Sequence, residues 1–309
     1  MQYTNRNRYY STYRRDPRTN YSAQRGTAKQ PRIMRAALAA CFLVLAAAAV
    51  SLPSGRSEEQ PKAVIAAAQT VKQPDPIDEQ KLATAINEVI AQNPRLDIGV
   101  SVTDLATNKA YTYGVDEPFI AASIGKLLSA GLYLHQVEQG QRTLDDSLGG
   151  LAAREQIQKM VAASDNSAWQ AVNGSLGHPA LADYALKNGL TSYDPTQNKI
   201  KPSEVASLLS KLYQGKLLNQ DNTKFLLANM QQDQEQQQFI RRYVDPSVTV
   251  YHKAGWLADR AHDTAVIESG DRPFTLVIFT KARGGVYDFE KGQKIFSQLT
   301  TASLNTFRL

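Results

Sequence analysis

Ser123 and Lys126 stand three residues apart in Ala121-Ala122-Ser123-Ile124-Gly125-Lys126, at the head of an apolar run from Leu127 to Leu134. Positions i and i+3 share a helix face, so a hydroxyl and an amine able to take its proton sit side by side. The first turn of a helix has backbone N–H groups without helical partners and a partial positive charge. A nucleophile, a base and donors for an oxyanion in one place are what nucleophilic acyl chemistry needs. Two further short motifs follow in order. Ser164-Asp165-Asn166 falls between helical patterns, and Lys253-Ala254-Gly255-Trp256 ends a strand pattern near the C-terminus. Ser164 can relay a proton to a leaving nitrogen, and Asn166, with two donors and an acceptor, suits a substrate amide. Lys253 supplies positive charge at the mouth of the site, for a substrate carboxylate and for the field on Lys126, which lowers an amine's pKa. Gly255 lets a substrate lie against its strand.

The elements that must position these groups are legible from periodicity. Residues 79–92 carry helical apolar spacing, 97–102 alternate as a strand, and 110–113 form the second strand of a hairpin around residues 104–108. The Ser123 helix follows. Residues 143–245 then read as mostly helical, with helices over 153–163, 167–176, 179–188, 202–214 and 222–230; the Gln-rich stretch 231–238 reads as a solvated helix face or loop. Strands return at 248–253, 264–268 and 274–280, Gly284-Gly285 makes a turn, and 288–304 is a closing helix. Strands at both ends with helices between predict an α/β (α+β) domain: one antiparallel sheet built from the two chain ends, flanked by helices, with a helical insertion.

Composition narrows the function classes. Residues 1–35 hold nine Lys/Arg against one acid, a net +8 in a chain whose total is +6, so the remaining residues carry −2. The basic character belongs to a tail too poor in aliphatics to fold, and nucleic-acid binding by the domain loses its motive. The uncharged stretch 36–52, AALAACFLVLAAAAVSL, follows Arg32 and Arg35. It predicts a single-pass signal-anchor with the tail in the cytoplasm and the C-terminal domain outside the cell membrane. A cleaved signal peptide is the competing reading, and the long tail favours the anchor. Residues 53–78, with Pro53, Pro61, Pro74 and Pro76, are a linker, and 79–309 the domain. The single cysteine, Cys41, excludes an intrachain disulfide, and no His/Cys spacing or glycine-rich loop points to a metal, nucleotide or other cofactor.

Ser123-x-x-Lys126, Ser164-Asp165-Asn166 and Lys253-Ala254-Gly255, in this order and context, resemble the class A β-lactamases and penicillin-binding relatives, whose set is S-x-x-K, S-D-N and K-T-G. The flanks at 97–127, 161–168 and 262–267 resemble that family too, over roughly residues 79–309. The resemblance implies an enzyme acylated at Ser123 by a β-lactam or a peptidoglycan-type peptide, with Lys126 as base. It also implies an oxyanion hole from the backbone N–H groups of Ser123 and Trp256. The alternative is a non-catalytic wall-binding or sensor module on the same fold. Three departures stand out. Ala254 replaces the hydroxyl residue of that family, leaving Arg260 as the substitute for a carboxylate. The spacing from Ser123 to Ser164 is short. The deacylating Glu of an E-x-x-L-N loop has no counterpart in residues 188–203, where Asp194 is the only acid and reads as an Asp-Pro turn. Acylation is therefore expected to be followed by slow release.

Overall fold

The computed structural model describes residues 75–233, 238–268, 270 and 272–307. The predicted tail, signal-anchor and most of the predicted linker lie outside these residues. Among the described residues no helix is long and apolar enough to cross a membrane. The described chain opens with α1 (Glu79–Ala91), started by Asp78, whose side chain accepts the Lys81 N–H, and burying Leu82, Ile86 and Val89 along one stripe. Then come β1 (Leu96–Asp104), β2 (Ala110–Gly114) and β3 (Phe119–Ile120). A 3₁₀ turn, Ala122–Gly125, leads into α2 (Lys126–Glu138). The insertion holds a small hairpin, β4 (Ser147–Leu148) and β5 (Leu151–Ala152), then α3 (Ala153–Ala162), α4 (Asn166–Leu176) and α5 (His178–Lys187). It continues through β6 (Lys199–Ile200), α6 (Pro202–Tyr213) and α7 (Gln220–Gln231). The chain closes with β7 (Val250–Leu257), β8 (Arg260–Ile267), β9 (Phe274–Ala282) and α8 (Phe289–Phe307).

The main sheet has the order β2-β1-β9-β8-β7, antiparallel throughout, so strands from the two ends of the described chain meet at the β1–β9 pairing. Both faces are covered. Ile98, Val100 and Val102 of β1 and Phe274, Leu276 and Ile278 of β9 face the core under α1 and α8. Val277 and Phe279, at the alternate positions of β9, face the helical insertion. A sheet buried on both faces reads as continuous apolar sequence, which is how 274–280 reads.

Two strands run further than periodicity implied. Lys253-Ala254-Gly255 does not end its strand but lies inside β7, which turns through residues 258–259 directly into β8. Periodicity starts the next strand at Thr264, yet β8 is buried strand from Arg260 onward. Its charges are partnered internally: Arg260 on Asp259, and Asp263 on His252. The helix of Ser123 also opens differently from expectation, as a 3₁₀ turn rather than an α turn. Side chains three apart eclipse in that geometry, so Ser123 and Lys126 still meet.

Candidate active site

The nucleophile turn is held from behind by a segment that periodicity did not mark. β3 pairs with β6, and the residue before β6, Asn198, reaches the turn twice. Its carbonyl accepts the Ala121 N–H at 2.7 Å, and its side-chain amide donates to the Ala122 carbonyl at 2.8 Å. Ala122 has φ 50°, a left-handed conformation that disfavours a residue with a Cβ. Two bonds from one residue hold the chain in that bend. Asn198 itself has φ 50°, which Asn tolerates better than most. On the other side, His262 lies 3.0 Å from the Ile120 carbonyl through Nε2, and its Nδ1 accepts the Thr280 N–H. Burial pushes His262 down to about 3, so it is a neutral, fully satisfied core histidine stacked on Phe279.

Lys126 has no exposed surface. Its Nζ lies 3.0 Å from Ser123 Oγ, 2.5 Å from the Ser164 carbonyl, 2.9 Å from Asn166 Oδ1 and 3.2 Å from Ser164 Oγ. Burial, and after it the charge of Lys253, lower its pKa to about 7, against opposing pulls from Asp165 and Asp233. A neutral amine has two N–H donors and one lone pair. If the neutral amine gives its donors to the Ser164 carbonyl and Asn166 Oδ1, its lone pair is left for the Ser123 or Ser164 hydroxyl.

Ser164 and Asn166 are placed by a helix start. Asp165 is the N-cap of α4, its carboxylate accepting the Ala168 N–H at 2.9 Å. It is a structural residue of the turn, in which Ser164 has φ 54°. α4 is tied to α2 through Trp169 Nε1, which donates to Ser129 Oγ, and Ser129, which donates to Asn173.

The edge strand β7 completes the site, with two corrections. Lys253 is not at the site mouth: it has no exposed surface, and its Nζ is 2.5 Å from Oδ2 of Asp233, itself wholly buried. A carboxylate within reach of an edge strand takes up a strand cation that water would otherwise solvate. The same Oδ2 accepts the Ala254 N–H at 3.3 Å, which shows that this N–H points out of the sheet edge. By the alternation of an antiparallel ladder the Trp256 N–H points the same way. Gly255 has a tighter reason than substrate access: a Cβ there would lie 2.6 Å from Ser123 N and 3.2 Å from the Ala121 carbonyl. The strand is pressed against the nucleophile turn at a distance that only Gly permits. Trp256, partly exposed, packs edge-on to Phe289. Arg260 is turned onto Asp259, its Nε and Nη2 donating to the two carboxylate oxygens. Asp194 is a turn residue, accepting the Thr196 and Gln197 N–H groups, and Glu204 is occupied by Thr191 and Ser192.

The structure thus gathers Ser123, Lys126, Ser164 and Asn166 into one hydrogen-bonded cluster and sets Gly255 against its turn, with the Lys253 charge near enough to act on Lys126. Sequence reasoning missed Asn198 and Asp233. Asp233 sits in a Gln-rich run that reads as solvated, and its one signal is being a carboxylate among amides.

Residues 81–307 match the β-lactamase enzyme family. No curated protein matches. Among solved structures, an ancestral class A β-lactamase of Gram-negative bacteria is 20% identical with a TM-score of 0.67, covering 72% of this chain and 99% of its own. A β-lactamase from Xanthomonas campestris is 19% identical, TM-score 0.67, covering 73% and 97%. A variant of PBP-A, solved as an acyl-enzyme complex with penicillin G, is 20% identical, TM-score 0.67, covering 74% and 97%. At such identities these likenesses speak for the fold. The match over 81–307 spans everything from α1 to α8, the nucleophile turn and its edge strand included, and by it the chain belongs to the β-lactamase enzyme family.

Proposed function

We propose that this serine hydrolase of β-lactamase type forms an acyl-enzyme on Ser123 with β-lactams or peptidoglycan-type peptides and releases it slowly. The observation that carries the reading is Lys126 Nζ at 3.0 Å from Ser123 Oγ, with the Ser164 carbonyl and Asn166 Oδ1 in reach of its donors. Lys126 takes the Ser123 proton as Oγ attacks the substrate carbonyl. The tetrahedral oxyanion sits between the N–H groups of Ser123 and Trp256. As the carbon–nitrogen bond breaks, Ser164 Oγ, 3.2 Å from Lys126 Nζ, passes the proton to the leaving nitrogen. Asn166 and the β7 edge hold the substrate amide. The acyl-enzyme recorded for the PBP-A variant supports the same chemistry on this fold.

Intact-protein mass after incubation with benzylpenicillin tests this. The expected result is a gain of one penicillin, absent in Ser123→Ala. No adduct would favour a non-catalytic wall-binding or sensor module. We also propose that residues 36–52 anchor the chain in the cell membrane with this domain outside. Protease added to intact cells with a permeable wall should then remove the domain, and its survival beside a cleaved surface protein would refute the topology.

A further inference from the structure

We infer that Trp169 is a positioning residue for the base: its indole face lies over the Lys126 amine and strengthens that amine's hold on the proton it must accept from Ser123. The inference rests on the acyl-enzyme reading above and deepens it by a residue that lies outside all three short motifs. Lys126 and Ser129 stand at i and i+3 on α2, and Asn166, Trp169 and Asn173 at i, i+3 and i+7 on α4, so each set forms one stripe. The two stripes meet rung by rung. Lys126 Nζ lies 2.9 Å from Asn166 Oδ1 and 5.5 Å from the centre of the Trp169 ring. Trp169 Nε1 donates to Ser129 Oγ at 2.9 Å, and Ser129 Oγ donates to Asn173 Oδ1 at 2.6 Å. Ser129 has no exposed surface, so the indole is pinned at its polar edge from inside the fold. An ammonium within about 6 Å of an indole face is attracted by the ring quadrupole, more strongly where water is excluded, and a neutral amine is not. Lys126, with no exposed surface, is such a desolvated amine. The charges that face it are Lys253 of β7, which opposes its proton, and Asp165 at the head of α4 and Asp233, which favour it. Burial and Lys253 press the amine toward its neutral form. An amine pressed too far is free of its proton but too weak a base to take another, and the ring works against that extreme.

The chain has two tryptophans, so in the full chain carrying Trp256→Phe a fluorinated tryptophan enters only at position 169. Ring fluorines weaken the quadrupole stepwise with little change of shape. The second-order rate of adduct formation with benzylpenicillin, read by mass spectrometry across a pH series, is compared for ordinary, monofluorinated, difluorinated and tetrafluorinated tryptophan. The midpoint of the pH profile should fall step by step with fluorination, by about 0.5–1 pH unit in all, and the plateau rate should fall with it. A ring that only fills space would leave the midpoint in place, so a midpoint that stays or rises overturns the inference. Trp169→Leu in the otherwise unchanged chain gives a second reading and decides where the Trp256→Phe chain does not acylate. Its midpoint should also fall; a fixed midpoint, or a rise as water reaches the amine, counts against the ring. If Trp169→Leu fails to fold, the fluorinated series decides. No adduct from the unmutated chain at any pH would instead refute the acyl-enzyme reading, a result distinct from a fixed or rising midpoint.

Discussion

A lysine amine is a base only when its proton is off, and Lys126, with a pKa lowered to about 7, is half neutral near physiological pH. Acylation should therefore rise with pH through about 7 and level off above it, falling tenfold per unit on the acid side; a flat profile from pH 5 to 9 would remove Lys126 as the base. Burial is the larger cause of the shift and Lys253 the second. Lys253→Gln removes a cation and leaves Asp233 behind, and both changes favour the protonated amine. The profile of that variant should move to higher pH, measured by adduct formation across a buffer series. Lys126→Ala should abolish acylation, since members of a nucleophile–base unit cost up to ~10⁶ in rate when removed. At this scale the sequence was most readable where residue type and local spacing suffice, as for Ser123, Lys126, Ser164 and Asn166. Asp233 and Asn198 were not readable: each acts on a partner distant in sequence, and neither its type nor its neighbours names that partner.

Elements bring these groups together, and their tolerances are set by backbone contacts. Gly255→Ala places a methyl 2.6 Å from Ser123 N, against backbone that cannot rotate away. The strand and the turn must part, and misplacement on the order of 1 Å costs about 10² in rate. Acylation should fall by at least about that factor while far-UV circular dichroism stays unchanged. Asp165→Ala removes the cap of α4 and should cost ~1 kcal/mol in denaturant unfolding, whereas Asp165→Asn, an equally good cap, should restore most of it. The segment between α5 and β6 is the ground for the slow release we propose. Its acid, Asp194, is committed to its own turn, and Glu204 is committed to Thr191 and Ser192. With neither of these two carboxylates free to activate water, we expect deacylation to lack a general base worth typically 10²–10⁴-fold. A penicillin adduct should persist for minutes, and rapid turnover without an adduct would contradict this. Most helices were legible because their apolar spacing is regular. The true lengths of β7 and β8 were not, because buried ion pairs such as His252–Asp263 look like loop when the partner is out of view.

The described chain joins its two ends at β1–β9 and hangs the site-bearing helices between them, so the helical insertion, with no more than short two-stranded pairings, packs on the main sheet. That architecture was legible from strands at both ends and helices between; the order of strands in the sheet was not, since antiparallel neighbours can be reshuffled without changing any local pattern. It carries a consequence for stability. Phe296 of α8 is buried against Phe239 on the face of the sheet away from Ser123, at 5.1 Å and edge-on. Phe296→Ala should destabilise the fold by ~3–5 kcal/mol. If sheet and insertion are one cooperative unit, the loss appears as a lower denaturation midpoint for both together. The two tryptophans report on the two parts separately, Trp169 from α4 of the insertion and Trp256 from the sheet edge. Their fluorescence changes, read in single-tryptophan variants, should coincide with each other and with far-UV circular dichroism. Well below the new midpoint, the rate of adduct formation should match that of the unmutated chain, because the cavity lies across the sheet from the nucleophile turn. Two separated transitions, with the Trp169 signal surviving after the Trp256 signal is lost, would show that the insertion stands without the sheet and would overturn the single-unit view.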